Sequence, residues 1–166
     1  MKPNEFAERL NKDFFGIETE RFRRIVCGLR GHEYCNAPLY PDARTTSGVT
    51  AVQVAHLIRV LALNYNPFSS EFHRNIAAVH VLRDEHGADY AIEIGRLLSD
   101  PAEIHERGIK RISFSMDRHS VVLVSDVDQI FGDCGPIAFE RYAILKLSSL
   151  LEISALLNKT QTILQP

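Results

Sequence analysis

The sequence predicts an α+β fold, mainly helical. It has an N-terminal helix-turn-helix region, a central helical core, a β-hairpin and a long C-terminal helix. Three observations predict it. Apolar residues recur every three to four positions through most of residues 4–98. The period then drops to two, with Ile112, Phe114 and Met116 on one side, before the apolar run Val121-Val122-Leu123-Val124. Helical spacing rich in leucine returns over residues 137–158.

The first helix spans residues 4–15. Pro3 stands beside Asn4, a suitable N-cap, and Phe6, Leu10 and Phe14 share one face. Gly16 stops it, because glycine takes the left-handed conformation without strain. Thr19 caps a second helix, which runs to residue 30 and is closed by Gly31. At about 100° per residue, Phe22, Ile25, Val26 and Leu29 fall on one arc and Arg23, Arg24, Cys27 and Arg30 on the opposite one, with Arg21 at the boundary. The apolar arc faces the core, and the other carries arginine and a single acid, Glu20.

Residues 31–48 read as a long loop with two prolines, two tyrosines and a polar run that includes Arg44, Thr45 and Thr46. Loops of this length inside a compact domain usually serve function. The third helix opens on a capping box of Thr50 and Gln53, with Val49 and Val54 as hydrophobic staple. Residues 51–63 are apolar nearly all round except for Gln53, His56 and Arg59, so this helix should be central and buried. Ser69 or Ser70 caps a fourth helix, to about residue 84, with Phe72, Ile76, Val79 and Leu82 inward. Asp89 caps a fifth, through residue 98, ended by Ser99-Asp100-Pro101. The hairpin follows, turning at residues 117–120, with a third short strand near 129–131.

In the last helix, residues 137–158, Ile137, Tyr142, Leu145, Leu150, Ile153, Leu156 and Leu157 cover more than one face. That surplus points to a homodimer through this helix. The chain divides at residue 66. Residues 1–66 form the helix-turn-helix region with the central helix, and residues 67–166 the remaining helices and hairpin, packed with the first part as one unit.

Composition limits the partners. The 166 residues are 45% hydrophobic and 24% charged, enough for one well-packed domain. Nineteen Lys and Arg against 21 Asp and Glu give a net charge of −2, which excludes a polycationic coat but leaves room for a local basic face. The first 60 residues are slightly basic and the rest acidic. Three cysteines suit a reducing, cytoplasmic setting. No apolar run reaches the roughly 18 residues of a membrane span, and the N-terminus lacks a signal-peptide core.

Phe15, Gly16, Ile17, Phe22 and Ile25 stand where helix-turn-helix DNA-binding units carry their turn glycine and inner apolar residues. Lys12 departs from that pattern, since a small residue is usual four before the glycine. The second helix would then enter the major groove with Arg23, Arg24 and Arg30 facing double-stranded DNA. The arginine-bearing helix, Gly28-Leu29, the Gly/Pro loop and Thr50 opening an Ala/Val/Leu helix together resemble small helix-turn-helix proteins of temperate phages and mobile elements in proteobacteria. The resemblance covers the first 63 residues. It implies a sequence-specific DNA-binding regulator or packaging protein, with Arg21, Arg23, Arg24, Arg30, Arg44, Thr45 and Thr46 as candidate contacts.

A hairpin bearing Lys110, Arg111 and Arg118 would make the arrangement winged-helix-like. The alternative is an adaptor or inhibitor that binds another protein through the hairpin or the last helix. Cys27, His32 and Cys35 offer no C-x2-C pair, and a fourth zinc ligand would have to be found among scattered histidines. Ser115, Asp117 and His119 do not form a nucleophile and base, and no G-x-S-x-G, P-loop or H-E-x-x-H occurs. The expectation is therefore a binding protein without metal, cofactor or catalysis.

Overall fold

A computed structural model describes residues 1–31, 38–44, 48–79, 82–117, 119–132 and 141–162. Helix α1, Pro3–Leu10, continues into one wide π-helical turn, Asn11–Phe15, which ends at Gly16 with φ +63°. After a three-residue turn, α2 runs over Thr19–Arg30. Its cap is Glu18 rather than Thr19. The Glu18 carboxylate is long enough to accept from two orphan amides at once, those of Glu20 and Arg21.

Helix α3, Ala51–Leu63, opens on the expected capping box. The Thr50 N–H donates to Gln53 Oε1 at 2.9 Å, and the Gln53 N–H donates to Thr50 Oγ1 at 3.3 Å. Every residue from Val54 to Leu61 is buried, His56 and Arg59 included. Helix α4 is Phe72–Val79, shorter than its periodicity suggested. By residue 84 the chain has turned. The Asp84 carboxylate accepts from the His86 and Ala88 amides, a local bonding pattern that competes with helix.

Asp89 caps α5, Tyr90–Ser99, as expected. The Ser99-Asp100-Pro101 stretch ends α5, as expected, with Asp100 in an extended conformation. Asp100 caps a further short helix, α6, Pro101–Glu106, because proline is well suited to a first helical position. Helices α3 and α5 cross closely at Gly95, where a Cβ would stand 3.1 Å from the Val52 nitrogen.

The strands β1 (Arg111–Ser115), β2 (Ser120–Val124), β3 (Gln129–Gly132) and β4 (Tyr142–Lys146) form one antiparallel sheet in the order β3-β2-β1-β4. The hairpin expected from the sequence is its centre. That hairpin is paired on both sides, by β3 and by β4. Strand β4 corrects the reading of residues 142–146 as helix. Leu145 is buried while Tyr142, Ile144 and Lys146 are exposed, a period of two, and pairing along all of β1 fills an edge that would otherwise lie open.

The last helix, α7, is thus Leu147–Thr162. Ile112, Phe114, Val121, Leu123, Phe131 and Leu145 form the inner face of the sheet. They belong to one continuous core that begins at Phe6 and ends at Leu157, so both parts of the chain share it.

Candidate nucleic-acid interface

Helix α2 is positioned from beneath. Phe22, Ile25, Val26 and Leu29 are buried, and Gly28 receives the ring of Phe72 from α4. A Cβ at Gly28 would lie 2.5 Å from Phe72 Cε1, so glycine is what lets the two helices meet. The turn before α2 is held by the buried Asn11, whose amide bonds both to the N–H and to the carbonyl of Ile17.

The opposite side of α2 exposes Arg23, Arg24 and Cys27. Arg24 pairs with Glu20 at 3.1 Å and lies over the Phe68 ring, 4.7 Å from its centroid. Among the described residues Arg23 has no hydrogen-bond or ion-pair partner. The Glu20 and Arg21 amides hold the Glu18 carboxyl below its usual range, and the Arg23 charge adds to that effect.

Arg21 and Arg30 are committed elsewhere. Arg21 donates to the carbonyl of Asn64, the left-handed residue that ends α3. Arg30 donates to the Pro41 carbonyl at 2.8 Å and to Asn4 Oδ1 at 2.6 Å, and lies 5.5 Å from the centroid of Tyr40. The buried Tyr40 hydroxyl donates in turn to the Pro3 carbonyl at 2.7 Å. Arg30 is therefore a strut between the start of α1, the end of α2 and the 39–41 segment. Arg44 is exposed, and among the described residues only its backbone N–H is engaged, with Asp42. Thr45 and Thr46 lie outside the described residues.

Two features on the α4 side were not singled out from the sequence. Phe68 is 62% exposed yet carries the Arg24 guanidinium. Arg74 adds an exposed positive charge on the helix that packs against Gly28. The available signal was the neighbouring inner anchor Phe72, which places Arg74 toward water.

Of the basic residues of the hairpin, Lys110 and Arg111 do not join this face. Lys110 pairs with Asp126 at 2.6 Å, Arg111 is on the outer side of the sheet, and Arg118 lies outside the described residues. Asp117 is held by Arg141 through its carboxylate, which lowers the Asp117 pKa. Cys27 is exposed, His32 and Cys35 lie outside the described residues, and among the described residues no three His, Cys, Asp or Glu side chains gather to hold a metal ion. Among them, too, no helix is long and apolar enough to cross a membrane.

Two further groupings are structural in their bonding. The fully buried Arg59 lies over Tyr90, which meets His56 Nδ1 at 2.7 Å, and burial raises the Tyr90 phenol above its usual pKa. A cleft of about 850 Å³ opens between the 83–87 and 125–128 turns. Asp84, Gln129 and Arg107 line it as a bonded chain, and Arg107 continues to Glu93 behind it.

The leucines of α7 face their own core. Leu150, Ile153 and Leu157 are fully buried and Leu156 nearly so. Tyr142 and Leu145, counted with them from the sequence, belong to β4, and Ile137 lies outside the described residues. The apolar surplus that pointed to dimerisation through this helix is therefore consumed within the chain. No protein-family model, no curated protein and no solved structure matches the chain.

Proposed function

We propose that the chain is a sequence-specific DNA-binding protein, a transcriptional regulator of the phage or mobile-element kind, with α2 as the helix that enters the major groove. The observation that carries this is the exposed pair Arg23 and Arg24, side by side on the face of α2 opposite its buried residues. Arginine presents a planar fork that matches the paired acceptors of guanine. Arg44 and Arg74 supply phosphate contacts, which position the protein without reading sequence. The acidic remainder of the chain repels DNA and so favours approach on this side.

Arg24 must leave Glu20 to reach DNA. An exposed pair of this kind is worth well under about 1 kcal/mol, so the exchange costs little. Such a protein works in the cytoplasm, on bacterial or phage DNA. A second reading, an adaptor that binds protein, is favoured by the apolar residues exposed on the outer side of the sheet.

The test is fluorescence anisotropy with a library of genomic duplexes at low salt. Binding is expected, with affinity falling as salt rises by a slope of about −0.9 per phosphate neutralised. Arg23→Ala combined with Arg24→Ala should weaken binding at least tenfold and leave the unfolding midpoint unchanged. No binding to any duplex at low salt would remove the proposal.

A further inference from the structure

Two ring contacts join α2 to the segment that leads into α4. Gly28 receives the ring of Phe72, and Arg24, one helical turn earlier, stands over the ring of Phe68. The inner contact is buried and the outer one lies in water. Among the described phenylalanines and tyrosines Phe68 is the most exposed, at 62%. Its backbone is held all the same. Asn66 Oδ1 accepts from the Phe68 N–H at 3.1 Å, and the Asn66 carbonyl accepts from the Ser69 N–H at 3.1 Å. The packed pair Gly28 and Phe72 thus fixes where the exposed pair Arg24 and Phe68 stands.

Arg24 is held from two sides. Its Nε meets Glu20 at 3.1 Å, and its guanidinium lies 4.7 Å from the Phe68 centroid. Reaching DNA gives up the first contact. The second survives, because stacking uses the face of a guanidinium and bonding to guanine uses its edge.

On the reading of α2 as the helix in the major groove, we infer that Phe68 is a specificity-determining residue, which selects thymine in the base pair next to the guanine held by Arg24. A guanidinium bonded to guanine O6 and N7 lies near the plane of that base. Successive bases are about 3.4 Å apart along the duplex. A ring stacked on the guanidinium at 4.7 Å therefore stands at the level of the adjoining pair, one step away rather than two. An apolar ring satisfies none of the donors and acceptors that a pair shows in this groove. The apolar group offered there is the 5-methyl of thymine. The exposed side of Phe68 meets it while the opposite side steadies Arg24.

The test is selection of tight-binding duplexes from a randomised DNA pool with the full chain, followed by anisotropy. Selected duplexes should carry guanine beside a pair that contains thymine. Replacing that thymine by deoxyuridine removes the methyl and keeps every hydrogen-bonding group. Affinity of the wild-type chain should then fall about fourfold, the value of one buried methyl. Phe68→Ala should bind the thymine and uracil duplexes equally, with an unchanged unfolding midpoint, since the ring is exposed. The uracil duplex tests the contact without any variant.

Binding with no preference for thymine, no loss with uracil, or a loss that persists in Phe68→Ala overturns the inference and leaves DNA binding by α2 standing. Tighter binding to single strands than to duplex also overturns it, because Phe68 would then serve as a stacking platform for unpaired bases. Failure to bind any duplex at low salt removes DNA binding itself, and this contact with it.

Discussion

Asn11 and Ile17 are joined by two hydrogen bonds across the Gly16 turn. Asn11 Nδ2 donates to the Ile17 carbonyl at 2.8 Å, and the Ile17 N–H donates to Asn11 Oδ1 at 2.9 Å. The side chain thus does for Ile17 what a neighbouring backbone segment would do, and it fixes the direction in which α2 leaves α1. Removing it leaves two backbone groups without a protein partner. Asn11→Ala should lower stability by about 1–3 kcal/mol. Urea unfolding measures this, and a loss below about 0.5 kcal/mol would show that water replaces the clasp at no cost.

Gly28 predicts an inversion of helix propensity. Alanine is better than glycine inside a free helix by about 1 kcal/mol. At this position the added methyl would lie 2.5 Å from the Phe72 ring, and Phe72 is itself buried. Gly28→Ala should therefore destabilise, by about 1–3 kcal/mol, as overpacked cores do. Combining it with Phe72→Leu should recover part of the loss. Thermal or denaturant melts of the three variants decide it.

Arg23 and Arg30 should separate cleanly when each is changed to alanine. Arg30 joins α1, α2 and the 39–41 segment through two hydrogen bonds. Arg30→Ala should cost about 1–3 kcal/mol of stability, within the range for bonds to a charged donor. Arg23→Ala should leave the unfolding curve in place and lower DNA affinity alone. Parallel unfolding and anisotropy measurements check both, and an Arg23→Ala chain that melts early would contradict the placement of this side chain.

Acid should unfold the protein through its aspartates. The Asp117 pKa is lowered chiefly by its bond from Arg141, that of Asp84 chiefly by its bond from Gln129 and that of Asp126 chiefly by its bond from Lys110. A carboxyl with a lowered pKa in the folded state binds fewer protons there than in the unfolded chain. Its contribution is present above the ordinary value of about 3.9 and is lost as pH falls through the lower folded value. Unfolding midpoints should thus hold steady near neutrality and fall below about pH 4. Asp117→Asn should flatten part of that slope, and an unchanged slope would count against the Arg141 contact.

Much of the fold was legible because its signals are local. The Thr50 and Gln53 box, the Asp89 cap and the Gly16 stop each need only neighbours within a few residues, and each forms as expected. The apolar monotony of α3 meant burial, and the change of period at residue 109 meant strands. The exposure of Arg23 and Arg24 also followed from helical spacing alone.

Tertiary structure decided what local spacing leaves open. Tyr142–Lys146 is short enough to suit either helix or strand, and pairing with β1 made it β4. That choice removed the apparent second face of the last helix. The fates of Arg21 and Arg30 rest on carbonyls and a side chain that lie between 11 and 43 residues away in the chain. Periodicity states which side of a helix faces water. It does not state which distant carbonyl a long side chain will find there, because that depends on how the packed core brings the segments together.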